Sequence, residues 1–130
     1  MRLRLIIAGT ISLLTCMVHL FAGGPEILEP MLQSNLAEIP KTTSHVVWHI
    51  RTIILLFNGV ALLMAAVYQT GNWQMSLWIS LQNLAIALVF LAIGIQEFGT
   101  ALTLPQWVAF SLIGLLAFPG SLGTRNENHA

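Results

Sequence analysis

Four runs of about twenty mostly apolar residues fill most of this chain, and that is the length an α-helix needs to cross the hydrocarbon core of a bilayer. The runs are Leu3 to Ala22, closed by Gly23-Gly24-Pro25; Val46 to Tyr68, closed by Gln69-Thr70-Gly71-Asn72; Met75 to Ile95, closed by Gln96-Glu97; and Ala101 to Leu122. The last is the least regular. Pro105 suits a first helical turn, and Pro119-Gly120 ends or kinks the helix, which is short if it stops at Phe118. Backbone groups in lipid must be satisfied within the segment, so these runs are expected as helices rather than strands. Composition points the same way. Of the 130 residues 56% are hydrophobic and 8% charged, against about 25% charged in a soluble domain, which argues against a soluble monomer.

The expected fold is therefore all-α: one integral membrane domain of four transmembrane helices in an antiparallel bundle, with successive helices as neighbours and short connections. Arg2, Arg4 and Arg125 flank the ends of the first and fourth runs, while the first connection carries Glu26, Glu29 and Glu38 against Lys41. The positive-inside rule then puts both termini in the cytoplasm of a bacterial inner membrane. A cleaved secretory signal is the competing reading of the first run, but the run is longer than a usual signal core and lacks an A-x-A site. The first connection, from Gly23 to Ser44, holds Pro25, Pro30 and Pro40, yet Ile27, Leu28, Met31, Leu32 and Leu36 recur at helical spacing. One or two short interfacial helices are expected there, lying as a lid over the outer end of the bundle.

Several function classes drop out. With 5 Lys+Arg against 5 Asp+Glu no basic run exists to meet a phosphate backbone, so nucleic acid is not an expected partner. Cys16 is the single cysteine, which excludes a disulfide scaffold and C-x-x-C chemistry. There is no nucleophile elbow, P-loop or dinucleotide fingerprint, and whether the chain is an enzyme stays open. The expected partners are the lipid bilayer and either a second copy or another membrane protein.

Polar residues of a membrane helix should face its neighbours. The first run carries Ala8, Ser12, Thr15, Cys16 and His19 on one face, the third Ser76, Ser80, Asn83, Ala87, Phe90, Gly94 and Glu97, and the fourth Trp107, Ser111, Gly114 and Phe118. In the second, His45, His49 and Thr52 lie on one face while Arg51 and Asn58 lie on another. Asn58 is expected to bond Asn83 or Gln82 as structural glue. Arg51 is expected to snorkel outward, pair with Glu97 or sit over Trp48.

Antiparallel helices would bring His19, His45, His49 and Glu97 to one membrane level, with Glu26 and Glu29 directly above. Ionisable groups there are costly unless paired, which invites a functional reading. The i, i+4 spacing of His45 and His49 sets two imidazoles on one face; His19 would add a third nitrogen and Glu97 or Glu26 an oxygen, a donor set that suits zinc, copper or iron. Cys16 would add a soft ligand for copper. Position 46 is Val, so the glutamate base of an H-E-x-x-H protease is missing. The competing readings are a structural polar cluster, haem ligated by His19 with His45 or His49, a proton-linked transporter, and an accessory subunit of a membrane complex with no cofactor of its own.

The run His19-Leu-Phe-Ala-Gly-Gly24, followed by Trp48-His-Ile-Arg-Thr52, resembles uncharacterised small bacterial four-helix membrane proteins. In size and helix count the chain is also similar to DoxX-like inner-membrane proteins. Neither resemblance implies an activity. The first implies that His19, Gly23, Gly24, His49 and Thr52 belong to one recurring pattern.

Overall fold

The structure is a computed structural model and describes residues 2–68 and 73–119. Among these residues there is no strand. Five α-helices follow in order: α1 (Arg2–Phe21), α2 (Glu29–Gln33), α3 (Glu38–Tyr68), α4 (Trp73–Phe98) and α5 (Gln106–Ala117), with a π-helical turn over Gly24–Leu28. At 20, 31 and 26 residues, α1, α3 and α4 are long and apolar enough to cross a membrane.

Prolines set most of the boundaries. Pro25 and Pro30 lack the amides that would bond four residues back, and the chain widens there into the π turn, with the Glu29 amide reaching the Gly24 carbonyl. The expected interfacial segment is thus one π turn plus the five-residue α2. No residue from Gly24 to Gln33 is buried, so the expected lid lies on the surface. Pro40 falls in the first turn of α3, where a missing amide costs nothing, and α3 begins at Glu38 rather than Val46.

The fourth run needs the largest correction, because α5 covers only Gln106–Ala117 of the expected Ala101–Leu122. Gly99 takes φ 69°, a left-handed conformation that ends α4. Pro105 then caps α5, and Phe118, held extended at ψ 125° by the proline after it, closes the helix. Twelve residues rise about 18 Å, short of the roughly 30 Å of a hydrocarbon core. Gln69–Asn72 and everything past Pro119, including the expected end at Leu122 and Arg125, lie outside the described residues.

Helix α1 packs along α3 and α5, and α4 along α5, whereas α3 and α4 approach closely at few points. The α1–α3 pair runs in opposite directions, since Ser12 meets Leu55 while Cys16 meets Thr52 and His19 meets Trp48. Two glycines let the backbones touch. A Cβ on Gly9 would sit 2.9 Å from the Gly59 carbonyl oxygen, and one on Gly59 would sit 2.7 Å from the Leu13 side chain. Between α4 and α5 a Cβ on Gly114 would sit 2.7 Å from Leu84. Buried hydroxyls tie the same pairs: Ser12 donates to the Leu55 carbonyl at 2.8 Å and Ser80 to that of Gly114 at 2.6 Å. Arg4 donates to the Leu115 carbonyl at 2.8 Å, placing a cation on the open C-terminal end of α5.

The polar stripes largely hold. Ala8, Ser12 and Cys16 of α1 and Ser76, Ser80, Asn83, Ala87 and Gly94 of α4 are buried. Glu97, expected to continue the α4 stripe inward, is exposed at the helix end. On α5 the buried face is Phe110, Ile113, Gly114 and Ala117, turned from the expected Trp107, Ser111, Gly114 and Phe118. Leu5, Ala8, Leu62, Ile79, Ile113 and Ala117 belong to one core cluster, and Cys16, Leu55, Ala87 and Phe110 make a second.

Candidate functional site

The chemistry-bearing residues concentrate where α1 ends and α3 begins, and Trp48 organises them. Its indole stacks on the His19 ring at 3.9 Å and 20°. A Cβ on Gly23 would lie 3.0 Å from that indole, so any side chain there would push the ring aside by a few tenths of an ångström or more. Besides its place in the helix ladder, the Trp48 carbonyl accepts from His19 Nε2 at 3.2 Å and from Thr52 Oγ1 at 3.3 Å. Cys16 Sγ donates to the Thr52 carbonyl at 3.6 Å, so the thiol is spent on helix contact. Because a carbonyl only accepts, His19 carries its proton on Nε2, leaving Nδ1 for any ligand. The pattern His19, Gly23, Trp48, Thr52 is therefore a packed cluster joining α1 to α3. Gly24 stands apart, with open space where a Cβ would be.

His45 and His49 form a separate pair on an exposed face of α3. Their Nε2 atoms are 3.1 Å apart and their rings tilt by 50°. Glu97 and Glu26 are both exposed, one at the end of α4 and one in the π turn. Among the described residues no three His, Cys, Asp or Glu side chains come together in metal-ligating range, so the structure brings His45 to His49 but gathers neither His19, Glu97 nor Glu26 with them. One face of the His19 ring is already covered by Trp48.

Arg51 takes none of the three places expected for it. Its guanidinium carbon lies 4.4 Å from the centroid of Phe110 and 5.8 Å from that of Phe90, two rings stacked 5.7 Å apart. This is cation–π contact with α4 and α5 in place of an ion pair with Glu97. No acidic side chain among the described residues partners it. Phe110 was not legible as a site residue, because only the packing of α5 on α4 turns it toward Arg51.

Between α3 and α4 the weak approach of the two helices leaves a cavity of about 670 Å³. Thr43, Ser44, Val47, Trp48, Arg51 and Ile54 recur at helical spacing on its α3 wall, Ile86, Val89 and Phe90 stand on its α4 wall, and His19 closes one corner. One turn further along, Asn58 Nδ2 donates to Gln82 Oε1 at 3.2 Å and ties the walls together. Asn83 instead donates to the Ile79 carbonyl of its own helix at 2.7 Å. Comparison with known proteins finds no matching family model, no matching curated protein and no matching solved structure, so function rests on this geometry.

Proposed function

We propose that this chain is a four-span integral membrane protein of a bacterial inner membrane, with both termini in the cytoplasm, that binds a divalent transition metal at its outer surface through His45 and His49. In this reading α1, α3 and α4 make three crossings, and α5 with the bent segment before it makes the fourth. The polar end formed by α1 and α3 then faces outward, opposite the arginines Arg2 and Arg4.

The observation that supports metal binding is the 3.1 Å separation of the two Nε2 atoms on an exposed face. Metal–imidazole bonds of about 2.0–2.1 Å would span it with an angle of roughly 100° at the metal, which suits zinc or copper. Without metal the pair shares one proton, the Nε2–H of one ring donating to the other. Metal on both Nε2 atoms requires that proton to move to the Nδ1 of its ring, and an imidazolium has no lone pair to give, so affinity falls as the pH drops. Two imidazoles leave coordination positions for water, giving an exchangeable site. His19, Glu26 and Glu97 stand apart from the pair, so water or an outside ligand fills the remaining positions.

The test is metal titration with elemental analysis on protein purified in mild detergent with a tag that binds no metal. Zinc or copper should bind the wild type near 1:1, and His49→Ala and His45→Ala should each lose it while staying inserted and monodisperse. Undiminished binding in His49→Ala refutes the assignment. His19→Ala should leave the affinity unchanged, because His19 is held on Trp48 and away from the pair.

A further inference from the structure

We infer that the groove between α3 and α4 is a binding site for one anionic phospholipid, whose phosphate is held by Arg51 and one of whose acyl chains lies along the apolar wall. The inference concerns a different face of α3 from the histidine pair and does not depend on metal.

Depth is the first argument. Counting about 20 residues back from Tyr68, the number that crosses a hydrocarbon core, puts the membrane boundary near His49. Arg51 then lies within the first turn below it, about 3 Å down at 1.5 Å per residue, where lipid phosphates and glycerol backbones lie. Thr43 and Ser44, two turns above on the same wall, are at headgroup height. Below Arg51 the walls are Ile54 of α3 with Ala85 and Ile86 of α4, which offer an acyl chain only apolar contact.

Charge is the second. Arg51 lines the groove, and no carboxylate of the described residues neutralises it. Phe110 and Phe90 lie 4.4 and 5.8 Å from the guanidinium carbon, and among the described residues its N–H groups donate no hydrogen bond. A desolvated cation in a membrane segment is costly without an anion, and a planar fork of donors matches a phosphate in a two-pronged contact. An apolar lipid would leave the charge unmatched. A zwitterionic choline headgroup would bring a second cation beside it. A net-negative phospholipid satisfies both ends of the groove, and the cavity of about 670 Å³ is of the size that buries such a chain.

The experiment uses the full-length protein carrying Trp73→Phe, Trp78→Phe and Trp107→Phe, so that Trp48 reports alone, in nanodiscs of equal phosphatidylglycerol and phosphatidylcholine in which one lipid or the other has brominated chains. Tryptophan quenching is read together with native mass spectrometry of lipids retained after detergent transfer. Trp48 lines the groove, so an occupied site quenches it. The wild type should prefer phosphatidylglycerol roughly tenfold and retain one copy, and Arg51→Gln should bring the preference close to one. Equal quenching by both lipids in the wild type, or a preference unchanged in Arg51→Gln, overturns the inference. If Arg51→Gln fails to insert, Ala85→Phe decides: filling the groove should displace the retained lipid with Arg51 intact, and retention of phosphatidylglycerol by that variant overturns the inference equally.

Discussion

At the scale of single residues, two adjacent glycines in one motif have different physics. Gly23 faces the Trp48 ring and Gly24 faces open space. Gly23→Val should therefore lower the unfolding free energy in detergent by about 1–3 kcal/mol through overpacking. Gly24→Ala should stay within about 0.5 kcal/mol of wild type. Equal losses in chemical denaturation would mean that Trp48 does not occupy the space beside Gly23. The same contrast applies at the α1–α3 crossing, where Gly59→Leu drives a side chain into Leu13 and the Gly9 carbonyl. Sequence spacing singled out the His19–Gly23 and Trp48–Thr52 runs. It did not reveal that they are two halves of one cluster, because a motif records neighbours along the chain and the stack joins residues 29 apart.

At the scale of elements, periodicity located the long helices well and the irregular ones poorly. The buried stripe of α4 was readable because Ser76, Ser80, Asn83 and Ala87 are small or polar in an apolar helix, so their spacing marks a face. On α5 nearly every residue is apolar, no contrast exists along the helix, and the buried face fell on Phe110 and Ile113 instead of Trp107 and Ser111. Start and end of α5 depended on Pro105 and Pro119, whose effects are local and override hydropathy. Asn58 and Gln82 give an element-scale test of the contact across the groove. A double-mutant cycle with Asn58→Leu and Gln82→Leu should show a coupling of about 0.6 kcal/mol, as polar pairs between membrane helices typically do. A coupling of zero would mean that the two side chains do not meet. Ser80→Ala should cost a similar amount, since it leaves the Gly114 carbonyl without its interhelical donor.

At the scale of the whole molecule, the exposed surface is what a bilayer requires: Trp78, Phe57 and Leu3 are each about two-thirds or more exposed, at 74%, 68% and 68%. The four-span reading makes a topological prediction. In a Cys16→Ser background, Ser34→Cys in the first connection and Thr103→Cys before α5 should both react with an impermeant maleimide added to intact spheroplasts, and Gln74→Cys at the start of α4 should react only after lysis. Labelling of Gln74→Cys before lysis would reverse or break the topology. The metal site has its own whole-molecule signature, because zinc that bridges His45 and His49 should raise the melting temperature at neutral pH and lose that effect as the medium is acidified.

Backbone satisfaction in lipid and the 3.6-residue period already imply, from the order of residues, that this chain is helical, where its three long apolar helices lie, and which small and polar residues of α1 and α4 face inward. Tertiary structure alone decided which helices touch. Gly9 with Gly59 and Gly114 with Leu84 draw α1 to α3 and α4 to α5, and the α3–α4 pair is left parted. From that one difference follow the groove and the turn of Phe110 toward Arg51, while the stack on Trp48 keeps His19 from the His45–His49 pair. Close approach depends on complementary surfaces brought together from distant parts of the chain, and no local pattern of residues encodes it.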